Sequence, residues 1–174
     1  MGNKNSKIIK ELAPNGKNSP MTKSELINLM KIGENSMVKI YSNQGTGSGF
    51  FCMINDPNID FKYALFTNNH VLDKESIKIG ERISLEYKSE KKNFLLDENR
   101  KVFTNEELDY TCIEIKKEDN FKDFFLIDEN ILNDNGYNYE NQDILILQFP
   151  KGGEISFSEG KILELNKNNI LYTA

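Results

Sequence analysis

Several residue types that build functional sites are scarce in this chain of 174 residues, which has one histidine, His70, and two cysteines, Cys52 and Cys112. One imidazole, two distant thiols and scattered carboxylates make no zinc ligand cluster. The acidic stretch around Asp128–Asp134 lacks the ligand spacing of a calcium loop. No metal and no other cofactor is expected. Nucleophile and disulfide readings stand open for the two cysteines, but each falls inside a strand-like run, where a free thiol packs as a small apolar group, and that reading is favoured. The N-terminus lacks the apolar core of about 7–15 residues that marks a secretory signal. Together these point to a reducing, cytoplasmic setting. No apolar stretch approaches the roughly 18 residues a membrane-spanning helix requires. Positive charge is also short, with 22 Lys and Arg against 27 Asp and Glu and a net charge of -5. The lysines are interspersed with acids, so no basic stripe attracts nucleic acid. Gly45-x-Gly47-x-Gly49 lacks the Gly-Lys-Ser/Thr ending of a phosphate loop and no helix follows it, which excludes nucleotide binding by that route.

The chain does contain a core, since 38% of its residues are hydrophobic, enough for one large domain or one and a half small ones. Residues 1–20 are polar and broken by Pro14, Gly16 and Pro20, the composition of a flexible arm. Residues 21–33 read as a short helix: Thr22 and Glu25 form a capping box, Leu26, Ile27, Leu29 and Met30 an apolar stripe, and Gly33 the stop. From residue 34 to 132 the pattern changes to short β-type runs at Met37–Tyr41, Gly49–Ile54, Tyr63–Thr67, Arg82–Tyr87, Lys101–Thr104 and Tyr110–Ile115. Six such strands make a small antiparallel barrel. After a polar loop at residues 133–142, further strands are expected at Asp143–Phe149, Ile155–Leu165 and Ile170–Tyr172, so residues 133–174 hold a linker and the opening strands of a second unit.

Chemistry concentrates at two strand ends. Ala64-Leu65-Phe66-Thr67-Asn68-Asn69-His70 carries the lone histidine out of an apolar strand. Leu108-Asp109-Tyr110-Thr111-Cys112-Ile113 places a carboxylate at the start of another. A hydroxyl is a useful nucleophile at neutral pH only when a base of matching basicity takes its proton, and imidazole is the side chain suited to that. A carboxylate bonded to the other ring nitrogen fixes the tautomer and stabilises the imidazolium. His70 is therefore a candidate general base and Asp109 its orienting acid. Ser48, in Gly47-Ser48-Gly49, precedes the histidine on a strand whose glycines suit a bulge or a close backbone approach, and it is not assigned as the nucleophile.

These segments resemble the trypsin-like serine peptidase superfamily over residues 34–174. The matching pieces are Gly45-Thr46-Gly47-Ser48-Gly49-Phe50-Phe51, Thr67-Asn68-Asn69-His70-Val71-Leu72, Leu108 through Ile115, and the run from Leu147-Gln148-Phe149-Pro150 to Lys161-Ile162. The resemblance implies an all-β double barrel in which the first, six-stranded barrel is complete and the second truncated, preceded by a short helix. It also implies acyl transfer from a protein or peptide substrate to water, with His70 as base and Asp109 as its orienter.

Three departures qualify that expectation. No Gly-x-Ser-Gly turn follows Asp109, so the nucleophile and the donors of an oxyanion hole are expected beyond Ala174, and the 174-residue chain alone is expected to lack peptidase activity. An Ile-Val-Gly-Gly-like start is absent, which argues against activation by a newly exposed amino terminus. The pocket that reads substrate side chains belongs to the second barrel, which leaves specificity unread. Two alternatives stand beside the serine peptidase: a catalytically dead barrel used as a protein-binding module, and a cysteine nucleophile in place of serine. Fluorophosphonate labelling favours serine, and labelling only by an iodoacetamide-type reagent favours cysteine. Finally, Met1-Gly2-Asn3-Lys4-Asn5-Ser6 fits the N-myristoylation pattern at Gly2. A single acyl chain gives weak membrane association, to which Lys4, Lys7 and Lys10 would add attraction for anionic lipid.

Overall fold

The computed structural model describes residues 21–128, 130, 139–165 and 170–173. Gly2 and the 1–20 arm lie outside them, as does most of the 133–142 loop. The described chain is mostly β, with one helix, a curled sheet and a second, smaller sheet. Helix α1 spans Lys23–Ser36 and opens with the expected capping box: Glu25 N donates to Thr22 Oγ1, and Thr22 N to Glu25 Oε2. Gly33 does not end it. A Cβ there would meet Leu147 at 2.9 Å and Ile155 at 3.0 Å, so this glycine serves a close approach to the second sheet and the helix continues one turn further.

Seven strands make the first sheet: β1 (Met37–Ser42), β2 (Gly45–Met53), β3 (Tyr63–Thr67), β4 (Arg82–Tyr87), β5 (Glu90–Leu95), β6 (Val102–Asn105) and β7 (Tyr110–Glu114). Their order is β5-β4-β1-β2-β3-β7-β6, all antiparallel, and the two-residue strand β8 (Phe125–Leu126) adds in parallel to β2. The six expected first-barrel strands are all present, and β5 joins them as the hairpin partner of β4. Alternation of side chains across strands explains the two faces. Phe51, Leu65, Ile113 and Val102 lie in one cross-strand row. The first three are fully buried, and with Ile40, Leu85 and Leu96 they form the main core. Each such side chain contributes about 1.5–3 kcal/mol by leaving water. The neighbouring residues in register, Phe50, Phe66, Cys112 and Phe103, point to the other face. There Cys112 and Ala64 are covered by Ile54, Phe61 and Ile127, so both cysteines are free and buried, as their strand positions suggested. Burial pushes both thiols up to about 12, the Cys112 thiol also through the neighbouring Cys52.

The second sheet has three strands, β9 (Asp143–Gln148), β10 (Ser156–Leu165) and β11 (Ile170–Thr173), in the order β11-β10-β9. Strand β10 pairs with β9 through Ser156–Lys161 and with β11 through Lys161–Leu165, with a register shift between Ile162 and Glu164. Among the described residues of these strands only Ile162 is buried, while Phe157, Leu163, Ile170, Leu171 and Tyr172 are exposed. This sheet meets the first at few points. Ser48 Oγ accepts a 2.9 Å bond from Phe149 N, and the Lys39 ammonium lies 5.4 Å from the Phe149 ring centroid.

Candidate active site

Strand register brings the two sequence candidates together. In the antiparallel β3/β7 pair, Thr67 sits opposite Thr111, so the residues leaving β3 and those entering β7 emerge at the same sheet end. Just past β3 the chain turns tightly, with Val71 N and Leu72 N both donating to Asn68 O. This turn packs against β2, and a side chain at position 47 would collide with Val71 at 2.3 Å. That contact accounts for one glycine of the Gly-rich strand by close approach rather than by a bulge, since the β1/β2 and β2/β3 registers run without a shift.

His70 Nδ1 lies 2.7 Å from Asp109 Oδ2, and His70 N donates to Asp109 Oδ1 at 3.0 Å. Because one ring nitrogen faces an acceptor, the neutral imidazole is held with its proton on Nδ1 and its lone pair on Nε2. The ring is 70% exposed and the Asp109 side chain 44%, so solvent still reaches the pair. For Asp109, burial acts to raise the carboxyl. The His70 backbone N–H, the His70 side chain and its charge, and the Asn68 amide outweigh it, and hold the group below its usual range.

Sequence reasoning missed the residues that brace this pair. Asn68 Nδ2 donates to Asp109 Oδ2 at 3.1 Å and to Asp109 O at 3.2 Å. Asn69 Nδ2 donates to Thr104 Oγ1, which lies 2.7 Å from Thr111 Oγ1, and that buried hydroxyl donates to Leu72 O. Both asparagines stood in the Thr67–Leu72 motif, yet their partners lie more than 30 residues away and could not be read from spacing.

His70 and Asp109 line a cleft of about 600 Å³ between the first sheet and the end of β9, with Gly47, Ser48, Val71 and Phe149 on its walls. A second hollow, of about 550 Å³, flanks His70 on the side of Gln44, Asp73, Glu75 and Glu106. Ser48 reaches the cleft, and its hydroxyl oxygen accepts from Phe149 N. Among the described residues no group of three His, Cys, Asp or Glu side chains could hold a metal ion, and no helix is long and apolar enough to cross a membrane.

No family model and no curated protein matches the chain. Among solved structures it is similar to the inactive form of the Rv3671c protease, with 18% identity and a TM-score of 0.51, covering 84% of this chain and 63% of that one. It is also similar to the inactive form of a serine-to-alanine mutant of Rv3671c from M. tuberculosis H37Rv, with 19% identity and a TM-score of 0.50, covering 84% and 59%. The chain thus spans less than two thirds of the length of these neighbours. At such identity the likeness is one of fold alone, and the curled seven-strand sheet with the second sheet beside it fits the trypsin-like double-barrel architecture.

Proposed function

We propose that this chain carries the general base and orienting acid of a serine endopeptidase, with the nucleophilic serine supplied by residues outside the present sequence. The observation that carries this reading is the 2.7 Å contact between His70 Nδ1 and Asp109 Oδ2 at the wall of the cleft. In the reaction, His70 Nε2 takes the proton of the serine hydroxyl as its oxygen adds to the scissile carbonyl. It then returns that proton to the departing amine, leaving an acyl-enzyme. Water repeats the sequence: His70 accepts its proton, the hydroxide oxygen adds to the ester carbonyl, and the serine leaves with the proton restored. Asp109 keeps the imidazole in the required tautomer and offsets its transient positive charge, without itself taking the proton.

On this reading neither the attacking hydroxyl nor the oxyanion donors are assigned to the 174 residues, so they alone should not hydrolyse peptides. The test is peptide hydrolysis and fluorophosphonate labelling of the protein extended beyond Ala174, compared with its His70→Ala variant. Labelling and turnover that both vanish in the variant support the reading. Equal labelling in both proteins would remove His70 from the mechanism. A folded, extended protein that neither labels nor turns over would instead favour the protein-binding module.

A further inference from the structure

We propose that Asn68 is the positioning residue of the His70–Asp109 pair: its side-chain amide clips the main-chain and side-chain oxygens of Asp109 together and so holds the acid with Oδ2 turned to the imidazole. This rests on the reading of His70 as a base, but its test does not depend on hydrolysis.

The argument begins at the backbone. Asp109 has φ 49, in the left-handed region that non-glycine residues seldom occupy without support. Its own turn supplies part of that support, through Asp109 N to Glu106 O and Leu108 N to Asn105 Oδ1. Those bonds fix where the residue sits but not where its carboxylate points. The direction is set from the facing turn. Oδ1 takes the His70 N–H, and Oδ2 receives His70 Nδ1 on one side and Asn68 Nδ2 on the other. With the same amide also reaching Asp109 O at 3.2 Å, a ring closes through the Asp109 side chain and restrains its rotation. Both atoms facing the Asn68 side chain are acceptors, so its NH2 group and not its carbonyl must face them.

Asn68 is itself held. Its main-chain carbonyl accepts the N–H groups of Val71 and Leu72. The following residue is tied through Asn69, Thr104 and Thr111 to Leu72 O, which fastens the turn to β6 and β7. Every member of this arrangement belongs to the first sheet or its loops. The acid–imidazole pair is therefore assembled without help from β9, β10 or β11. An exposed carboxylate that would otherwise rotate freely is pre-aimed before any substrate arrives, which is the condition for a base of defined tautomer.

The experiment is a pH titration by NMR of the Asp109 carboxyl carbon and the His70 Nδ1 proton, in the parent chain, Asn68→Ala and Thr104→Val. The charged and titratable groups near the pair are His70 itself, Asp73, Lys74, Glu75 and Glu106 around the flanking hollow, and Tyr110 and Lys151 on the cleft side. None of these is altered by either substitution. Asn68→Ala should move the Asp109 midpoint upward and lose the hydrogen-bonded Nδ1 proton signal. Thr104→Val removes the hydroxyl that meets Asn69, Tyr110 O and Thr111 but no bond to Asp109, and should leave both readouts in place. Parental values in Asn68→Ala, or equal shifts in the two variants, would overturn the assignment. Should Asn68→Ala fail to fold, the parent chain decides alone: the Asn68 side-chain amide protons should exchange with solvent about tenfold more slowly than those of the exposed Asn99, and equal rates would refute the contact. An extended protein that shows the titration shift but hydrolyses nothing would defeat the peptidase reading and leave the role of Asn68 in orienting Asp109 standing.

Discussion

The two sheets of this molecule are built on different principles. In the first, seven strands enclose a core in which Phe51, Leu65, Ile40 and Ile113 are wholly withdrawn from solvent. In the second, three strands leave Leu163, Ile170, Leu171 and Tyr172 in contact with water, and β10 divides its length between two partners. Among the described residues, the hydrogen bonds that shape the His70–Asp109 pair come from the first sheet and its loops. The second sheet contributes a cleft wall, attached by the Ser48–Phe149 bond and a few packing contacts. Self-sufficiency and site geometry thus go together in one half, while the other half depends on its neighbour.

The strongest challenge to that division is chemical. In the protein extended beyond Ala174, Asp109→Asn should lower kcat by about 10⁴-fold, because amide replacement allows the wrong imidazole tautomer while leaving the fold intact. Turnover within a few-fold of the parent would show that the first sheet does not hold the catalytic pair. Core truncation sharpens the contrast. Leu65→Ala should cost about 2–5 kcal/mol in a urea melt, whereas Leu163→Ala, at a position 48% exposed, should stay within about 0.5 kcal/mol. Equal losses would mean that Leu163 is packed as tightly as Leu65 and that the second sheet is not the looser of the two.

The remaining tests are finer. Since the two buried thiols rise from 9.0 to about 12 in the folded chain, the unfolded chain releases those protons first as pH increases. The native state then binds more protons, and stability must fall with rising pH. Their contribution should be fully present below pH 9 and disappear progressively toward about 12, a decline that Cys52→Ala combined with Cys112→Ala should flatten. An identical alkaline decline in that double variant would assign it to other groups. Ser48→Ala should cost about 1 kcal/mol and speed amide exchange at Phe149 and the residues after it, with β2 and β3 unchanged. If exchange at Phe149 stays slow, another group fastens the second sheet. The smallest effect concerns acid. Asp109 is held below its usual range, so it stabilises the fold above its unfolded value and loses that contribution as pH falls through the lower folded one. Being well exposed, it should contribute at most about 0.2–1 kcal/mol, visible as a small difference between the parent and Asp109→Asn in melts near and below pH 4.

Much of the first sheet was legible because its strands bury one face, so that apolar runs such as Tyr63–Thr67 and Tyr110–Ile115 announce themselves. Strand β5 was not, since Glu90–Leu95 is rich in polar residues and hides only Phe94. Its turn was equally silent: Lys88 and Ser89 both take positive φ, at 53 and 62, in a tight hairpin whose usual signal is Asn-Gly or Asp-Gly. The extra turn of α1 was hidden for the opposite reason, a glycine that reads as a stop when it is in fact a contact. At the site, His70 and Asp109 could be picked out by residue type and strand position. What orients them could not, because the bond from Asn68 to Asp109 joins residues 41 apart and exists only through the β3/β7 register.

The buried thiols carry one more consequence, for labelling kinetics. Cys52 and Cys112 are almost entirely shielded and are kept in the unreactive thiol form well above neutral pH. An alkylating reagent at pH 7–8 can reach them only when the first sheet opens, so its uptake rate is a clock for that opening. Mass-resolved labelling of the intact chain would then time the breathing of the half that holds the site. Labelling of either thiol as fast as that of a free one would show that it is not shielded in this way.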